Sequence, residues 1–274
     1  MKTQLQVRLS LVVWSLLVTI LIFVGLALCV ALIEPPNLIV KAIFSQFVLS
    51  SERSPPAFFS FLLLLICSLW LGAIALYERQ IGSGWWHYWA FLGAMFLLMS
   101  YDEAAGLHEK LIEPLRDLLG AEGFFYYAWV IPGIILVVII FAAYLPFLFH
   151  LPPLFRWLFM LSGAIYVGGA IGVEMISGNY IEAYGRDLTY RLITTVEESF
   201  EMLGAWLFIY SLMKYLTREC GSFELKIGLT NGAAVPVEVE PKWRRRAWVG
   251  PLTRSTRLRG GFFRGGADHR AASN

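Results

Sequence analysis

Three stretches of this 274-residue chain set acids among apolar neighbours. They are SYDEAAGLHEKL, with Asp102, Glu103, His108 and Glu109; GVEMISGNY, with Glu174; and TTVEESFEMLG, with Glu197, Glu198 and Glu201. Carboxylates and an imidazole are the groups that hold divalent cations and that relay protons. On a helix Glu197 and Glu201, four apart, share a face, and Glu198 flanks Glu201 three residues away. Asp102 and Glu109, seven apart, fall nearly in line on a continuous helix, with Ala105 and Gly106 leaving room between them. Glu103 then points about 100° away.

The elements that must position these groups belong to a membrane protein. Hydrophobic residues make up 58% of the chain and charged residues 15%, with a mean hydropathy of +0.64. Soluble domains run at about 45–50% apolar and about 25% charged. This composition excludes a disordered chain, a collagen and a disulfide scaffold. The three cysteines, Cys29, Cys67 and Cys220, form no spaced framework.

Apolar stretches of about 20 residues predict six spans, at 11–33, 57–77, 85–103, 124–149, 154–177 and 192–216. The expected fold is therefore all-α and integral to the membrane: six transmembrane helices in one bundle over residues 1–217. Residues 218–274 form a basic, largely disordered cytoplasmic tail. Between the first two spans, Ile39, Val40, Ile43, Phe44, Phe47 and Val48 recur at helical spacing and predict an amphipathic helix lying in the interface. Basic residues in the short loops divide evenly between the two sides. The tail carries eleven Lys and Arg against five acids and places both termini in the cytoplasm. Contact with anionic lipid suits such a tail, and nucleic acid is not an expected partner.

Depth then gathers the acids. Counting about 20 residues per span from Lys214, Arg156 and Trp85 places Glu197, Glu198, Glu201, Glu174, Asp102 and Glu103 inside the membrane near one leaflet. His108 and Glu109 sit one or two turns above them. Ionised acids at the bilayer centre cost about 2.5–3.5 kcal/mol each, and less toward the interface. Such a group therefore implies shared protons, water or a bound metal. Gly168, Gly169, Ala170 and Gly172 allow a neighbouring helix to come close to Glu174.

The ligand types resemble those of ferritin-like di-iron bundles, but this chain has no Glu-x-x-His. The Glu197-Glu198 pair is similar to that of intramembrane CAAX-type proteases, yet Met202 stands where that motif needs arginine. No P-loop is present, since GSGWW at 82–86 is a short turn. His87, His150 and His269 lie away from the acids. The expectation is a metal-dependent enzyme, a hydrolase or oxidase, acting on a membrane lipid or other amphiphile. Asp102, His108, Glu109, Glu174, Glu198 and Glu201 would hold a divalent Zn, Fe or Mn, and Glu103 or Glu197 would serve as general base. A proton- or cation-coupled carrier using the same acids is the first alternative. A structural or assembly subunit is the second.

Overall fold

A computed structural model describes residues 9–33, 37–51 and 54–219. The tail from residue 220 onward lies outside the described residues. Among those described, the chain is all-helical. The order is α1 (Leu9–Leu32), α2 (Leu38–Ser45), α3 (Pro55–Gln80), α4 (Trp86–Ala105), α5 (Leu107–Leu119), a 3₁₀ turn (Gly123–Phe125), α6 (Val130–His150), α7 (Pro153–Val167), a π segment (Gly168–Val173), α8 (Glu174–Tyr184) and α9 (Leu188–Glu219).

Local chemistry explains the boundaries. Ser54 accepts the amide of Ala57 at 3.2 Å and caps α3, whose first turn carries Pro55 and Pro56; proline suits that position because its missing N–H would be unpaired there anyway. Asn37 caps α2 by accepting the Val40 amide at 2.9 Å. The fourth predicted span starts six residues late, because residues 124–129 form the 3₁₀ turn and a short connection before Val130. The fifth is longer than expected and continues through the π segment to Tyr184.

Four stretches, Ser10–Leu32, Pro55–Gln80, Val130–His150 and Pro153–Tyr184, are long and apolar enough to cross a membrane. A fifth is added if α4 and α5, which meet at 79°, count as one broken span. This is the build of a membrane protein.

α9 is the hub. It packs against α1, α3, α7, α8 and the π segment, and α3 lies along α4. The buried core between them contains Ile20, Leu63, Cys67, Leu71, Trp89, Ile209 and Leu212. Small residues set the closest approaches. Ser68 donates to the Gly93 carbonyl at 2.8 Å across α3 and α4, and Ser100 donates to the Phe61 carbonyl at 3.0 Å. Trp206 of α9 reaches the Val13 carbonyl of α1 at 2.9 Å. At the bundle end away from the acids, Tyr215 donates to the buried Glu78 carboxylate at 2.9 Å.

The α7–α9 contact depends on glycine. A Cβ on Gly204 would stand 2.6 Å from the Tyr166 nitrogen, and one on Gly169 would stand 2.8 Å from the Glu197 carbonyl oxygen. Of the small residues expected near Glu174, Gly169 makes this close approach, whereas a Cβ on Gly172 would meet nothing.

Candidate functional site

The eight residues singled out from sequence, Asp102, Glu103, His108, Glu109, Glu174, Glu197, Glu198 and Glu201, line one cavity of about 1420 Å³. They reach it from α4, α5, α8 and α9. Their relative placement differs in one respect from a continuous-helix reading. Asp102 and Glu109 are not stacked on one helix, because Gly106 takes a left-handed conformation (φ 56°) and turns α5 away by 79°. Left-handed backbone favours glycine, because a Cβ there crowds the following carbonyl oxygen.

That break creates the central contact. After the turn, the His108 amide donates to Asp102 Oδ1 at 2.9 Å and His108 Nδ1 stands 2.6 Å from Asp102 Oδ2. An ionised carboxylate only accepts, so the proton of this bond belongs on Nδ1. The Glu174 and Glu109 carboxylates lie within electrostatic reach of the imidazole. Substituting Gly106 by alanine should strain the turn by about 1–2 kcal/mol and loosen the His108–Asp102 pair. A fall in thermal midpoint of the purified protein checks this; an unchanged midpoint would mean that the turn does not hold α5.

Trp129 joins the two halves of the site. Its ring lies 4.9 Å from the His108 ring, centroid to centroid, and its indole N–H donates to Glu174 Oε1 at 2.7 Å. Trp129 is not among the residues singled out from sequence. The only signal is its position just before the apolar run of α6. Ser177 donates to Glu197 Oε2 at 2.9 Å and to the Glu174 carbonyl at 3.0 Å, linking α8 to α9. Glu198 and Glu201 line the cavity without a protein hydrogen bond among the described residues.

The outer rim is also built. Tyr127 and Tyr190 share a hydroxyl hydrogen bond of 2.8 Å. Asp187, just before α9, accepts the Tyr190 amide and the Tyr180 hydroxyl, each at 2.8 Å. Those bonds, the amide first, hold its carboxyl below the usual carboxylate range. Arg116 lies over the Tyr126 ring at 4.4 Å, and Lys110 caps α4 by donating to the Ala105 carbonyl.

Away from the acids the cavity continues along Leu92, Phe96, Leu136, Ile140 and Phe141 and ends among Tyr144, Phe147, Phe159 and Phe208. The Trp89 ring packs T-shaped against Phe147 and Phe159 beside that end, with centroids 4.9 and 5.8 Å apart.

The donor set does not form a ready metal cage. Among the described residues no three His, Cys, Asp or Glu side chains are grouped to hold an ion. Asp102 is turned onto His108, Glu174 onto Trp129 and Glu197 onto Ser177.

The profile of a domain of unknown function, DUF8692, matches residues 16–216. The chain belongs to this family. The DUF8692 match runs from the first half of α1 to near the end of α9, so it takes in every helix that lines the cavity. No curated protein and no solved structure matches the chain.

Proposed function

We propose that this DUF8692 protein is a membrane-embedded enzyme acting on an amphiphile, with acid–base chemistry at the polar end of its cavity. One observation carries the reading: a single cavity joins the carboxylate and histidine cluster to an apolar limb. Such a shape suits a molecule with a polar head and a hydrocarbon body. Pockets for drug-sized ligands hold about 300–1,000 Å³, and this one is larger.

In this reading the bundle has six spans. α9 supplies the sixth: its 32 residues give about 48 Å of helix, well over the hydrocarbon thickness. Its glutamates face the cavity rather than lipid. α2 is the interfacial helix, both termini are cytoplasmic, and the basic tail contacts anionic lipid. The His108–Asp102 pair takes or gives the proton at the head group, with His108 held in one tautomer by its partner. Glu197, oriented by Ser177, and Glu103 are the second bases. A divalent metal at Asp102, His108, Glu109, Glu174, Glu198 and Glu201 would first have to draw Asp102 from His108 and Glu174 from Trp129. The acid–base form needs no such regrouping.

The aromatic end formed by Phe147 and Phe159 favours a one-sided pocket over a carrier pathway. Glu198 and Glu201, which lack hydrogen bonds among the described residues, weigh against a purely structural role.

The test is untargeted lipid mass spectrometry after incubating reconstituted protein with a membrane lipid extract. The expected result is depletion of a chain amphiphile by the wild type and at least 100-fold less by His108→Ala, the usual order for a lost acid–base group. No lipid altered by the wild type would overturn the proposal. Metal content of the same sample decides the metal-dependent form: one or two ions per chain, lost in His108→Ala, would replace the acid–base assignment.

A further inference from the structure

We propose that the ligand of this cavity is a long-chain amine, an amphiphile whose polar end is a protonated amino group. The inference rests on the amphiphile reading above and specifies the head group.

Charge is layered along the cavity. The Lys and Arg side chains that line it are Lys110 and Arg116 of α5 and Arg186 before α9, all at the mouth, where Glu109 and Glu113 also stand. Lys110 and Arg116 are engaged with the Ala105 carbonyl and the Tyr126 ring. Glu103, Glu174, Glu197, Glu198 and Glu201 lie deeper, with no Lys or Arg of the cavity lining among them. The one imidazole nearby is committed to Asp102. A ligand entering this layer is favoured if it brings positive charge, because an ammonium lets buried carboxyl groups ionise that would otherwise have to keep their protons.

Hydrogen-bonding capacity points the same way. Glu174 is only 7% exposed. Trp129 occupies one of its oxygens, the other makes no hydrogen bond among the described residues, and the side chain lines the cavity. Glu198 and Glu201 offer further acceptors. A metal ion needs its donors converged at about 2.0–2.2 Å, and among the described residues no three His, Cys, Asp or Glu side chains are grouped to hold one. An ammonium needs less convergence: it donates three hydrogen bonds in divergent directions, each about 2.7–2.9 Å to a carboxylate. Acceptors spread over α4, α8 and α9 suit it.

The body of the ligand follows from the rest of the cavity. Past Glu201, the lining changes to Phe208, Phe159, Ile140 and Phe147, an apolar limb that accommodates an alkyl chain. A fatty acid would add a sixth acid to these five, and a neutral alcohol would bring no counter-charge to them.

The experiment uses the full chain in a neutral maltoside detergent. Tritiated hexadecylamine, hexadecan-1-ol and hexadecanoate are titrated in parallel at neutral pH. The expected result is amine binding at least tenfold tighter than alcohol, with hexadecanoate weakest. Combining Glu198→Gln with Glu201→Gln should abolish the preference, and Glu78→Gln, an acid outside the cavity, should keep it. Equal binding of amine and alcohol would overturn the amine assignment and leave the amphiphile reading standing. Saturation by none of the three would overturn both. A preference that survives the double substitution would place the amine elsewhere and overturn the site, as would displacement of bound amine by one equivalent of Zn²⁺ or Mn²⁺. The ligand series on the unaltered protein decides the head group even if the double variant does not fold.

Discussion

Replacing Gly204 with valine is expected to abolish the folded bundle. Even the first atom of a side chain at this position would lie 2.6 Å from the Tyr166 nitrogen and 2.8 Å from its Cα. Those are backbone atoms of α7, so no rotamer change relieves the contact and the two helices must separate. Overpacking a core costs about 1–3 kcal/mol where side chains can shift, and more where they cannot. Separating α7 from α9 would also withdraw Glu197, Glu198 and Glu201 from the residues opposite them. Gly163, where a Cβ would meet nothing, is the matched control. Gly163→Ala should elute as a monodisperse peak with an unchanged thermal midpoint, while Gly204→Val should aggregate on detergent extraction. A monodisperse, thermally unchanged Gly204→Val protein would show that this helix contact is not as close as described.

The second large effect is expected at Trp129. Trp129→Phe keeps an aromatic ring beside His108 but removes the indole N–H from Glu174. A buried polar group left without its partner costs about 1–3 kcal/mol, more when charged. The thermal midpoint should fall clearly. The discriminating comparison is the double substitution with Glu174→Leu, which removes the stranded carboxylate as well. It should recover much of the lost stability while ligand binding stays impaired. If the double variant is no more stable than Trp129→Phe alone, the ring's packing matters and the hydrogen bond to Glu174 does not.

The sequence made the membrane character and the convergence of the acids legible for one reason. Hydrophobic runs fix length and depth, and depth sorts residues by level even when their facing is unknown. Asp102, Glu174 and Glu197 could be assigned to one level from Trp85, Arg156 and Lys214 alone. Facing was harder. Extending one helix through residues 102–109 stacked Asp102 over Glu109, whereas the left-handed turn at Gly106 brings His108 back onto Asp102. A glycine between two helical segments is compatible with either outcome, and the choice depends on tertiary contacts. Trp129 and Gly204 were missed for related reasons. An indole N–H finds its acceptor only once α6 and α8 are placed. Likewise, a glycine inside an apolar helix shows its purpose only when the opposing backbone is known.

The π segment at Gly168–Val173 has a consequence for how α7 and α8 can vary together. A π turn takes in more residues than the 3.6 of an α turn. It therefore acts as a phase shifter in the middle of a long, nearly continuous rod. Everything beyond it, including Glu174 and Ser177, is rotated relative to Phe155, Phe159 and Ser162 before it. Winding the same six residues as regular α-helix, with none removed, would swing the whole of α8 by about 100°. Glu174 would then turn away from Trp129, with no acid substituted. Substitutions in this short glycine-rich stretch that favour a regular α-helix thus change the chemistry of the cavity more than most point substitutions along its walls.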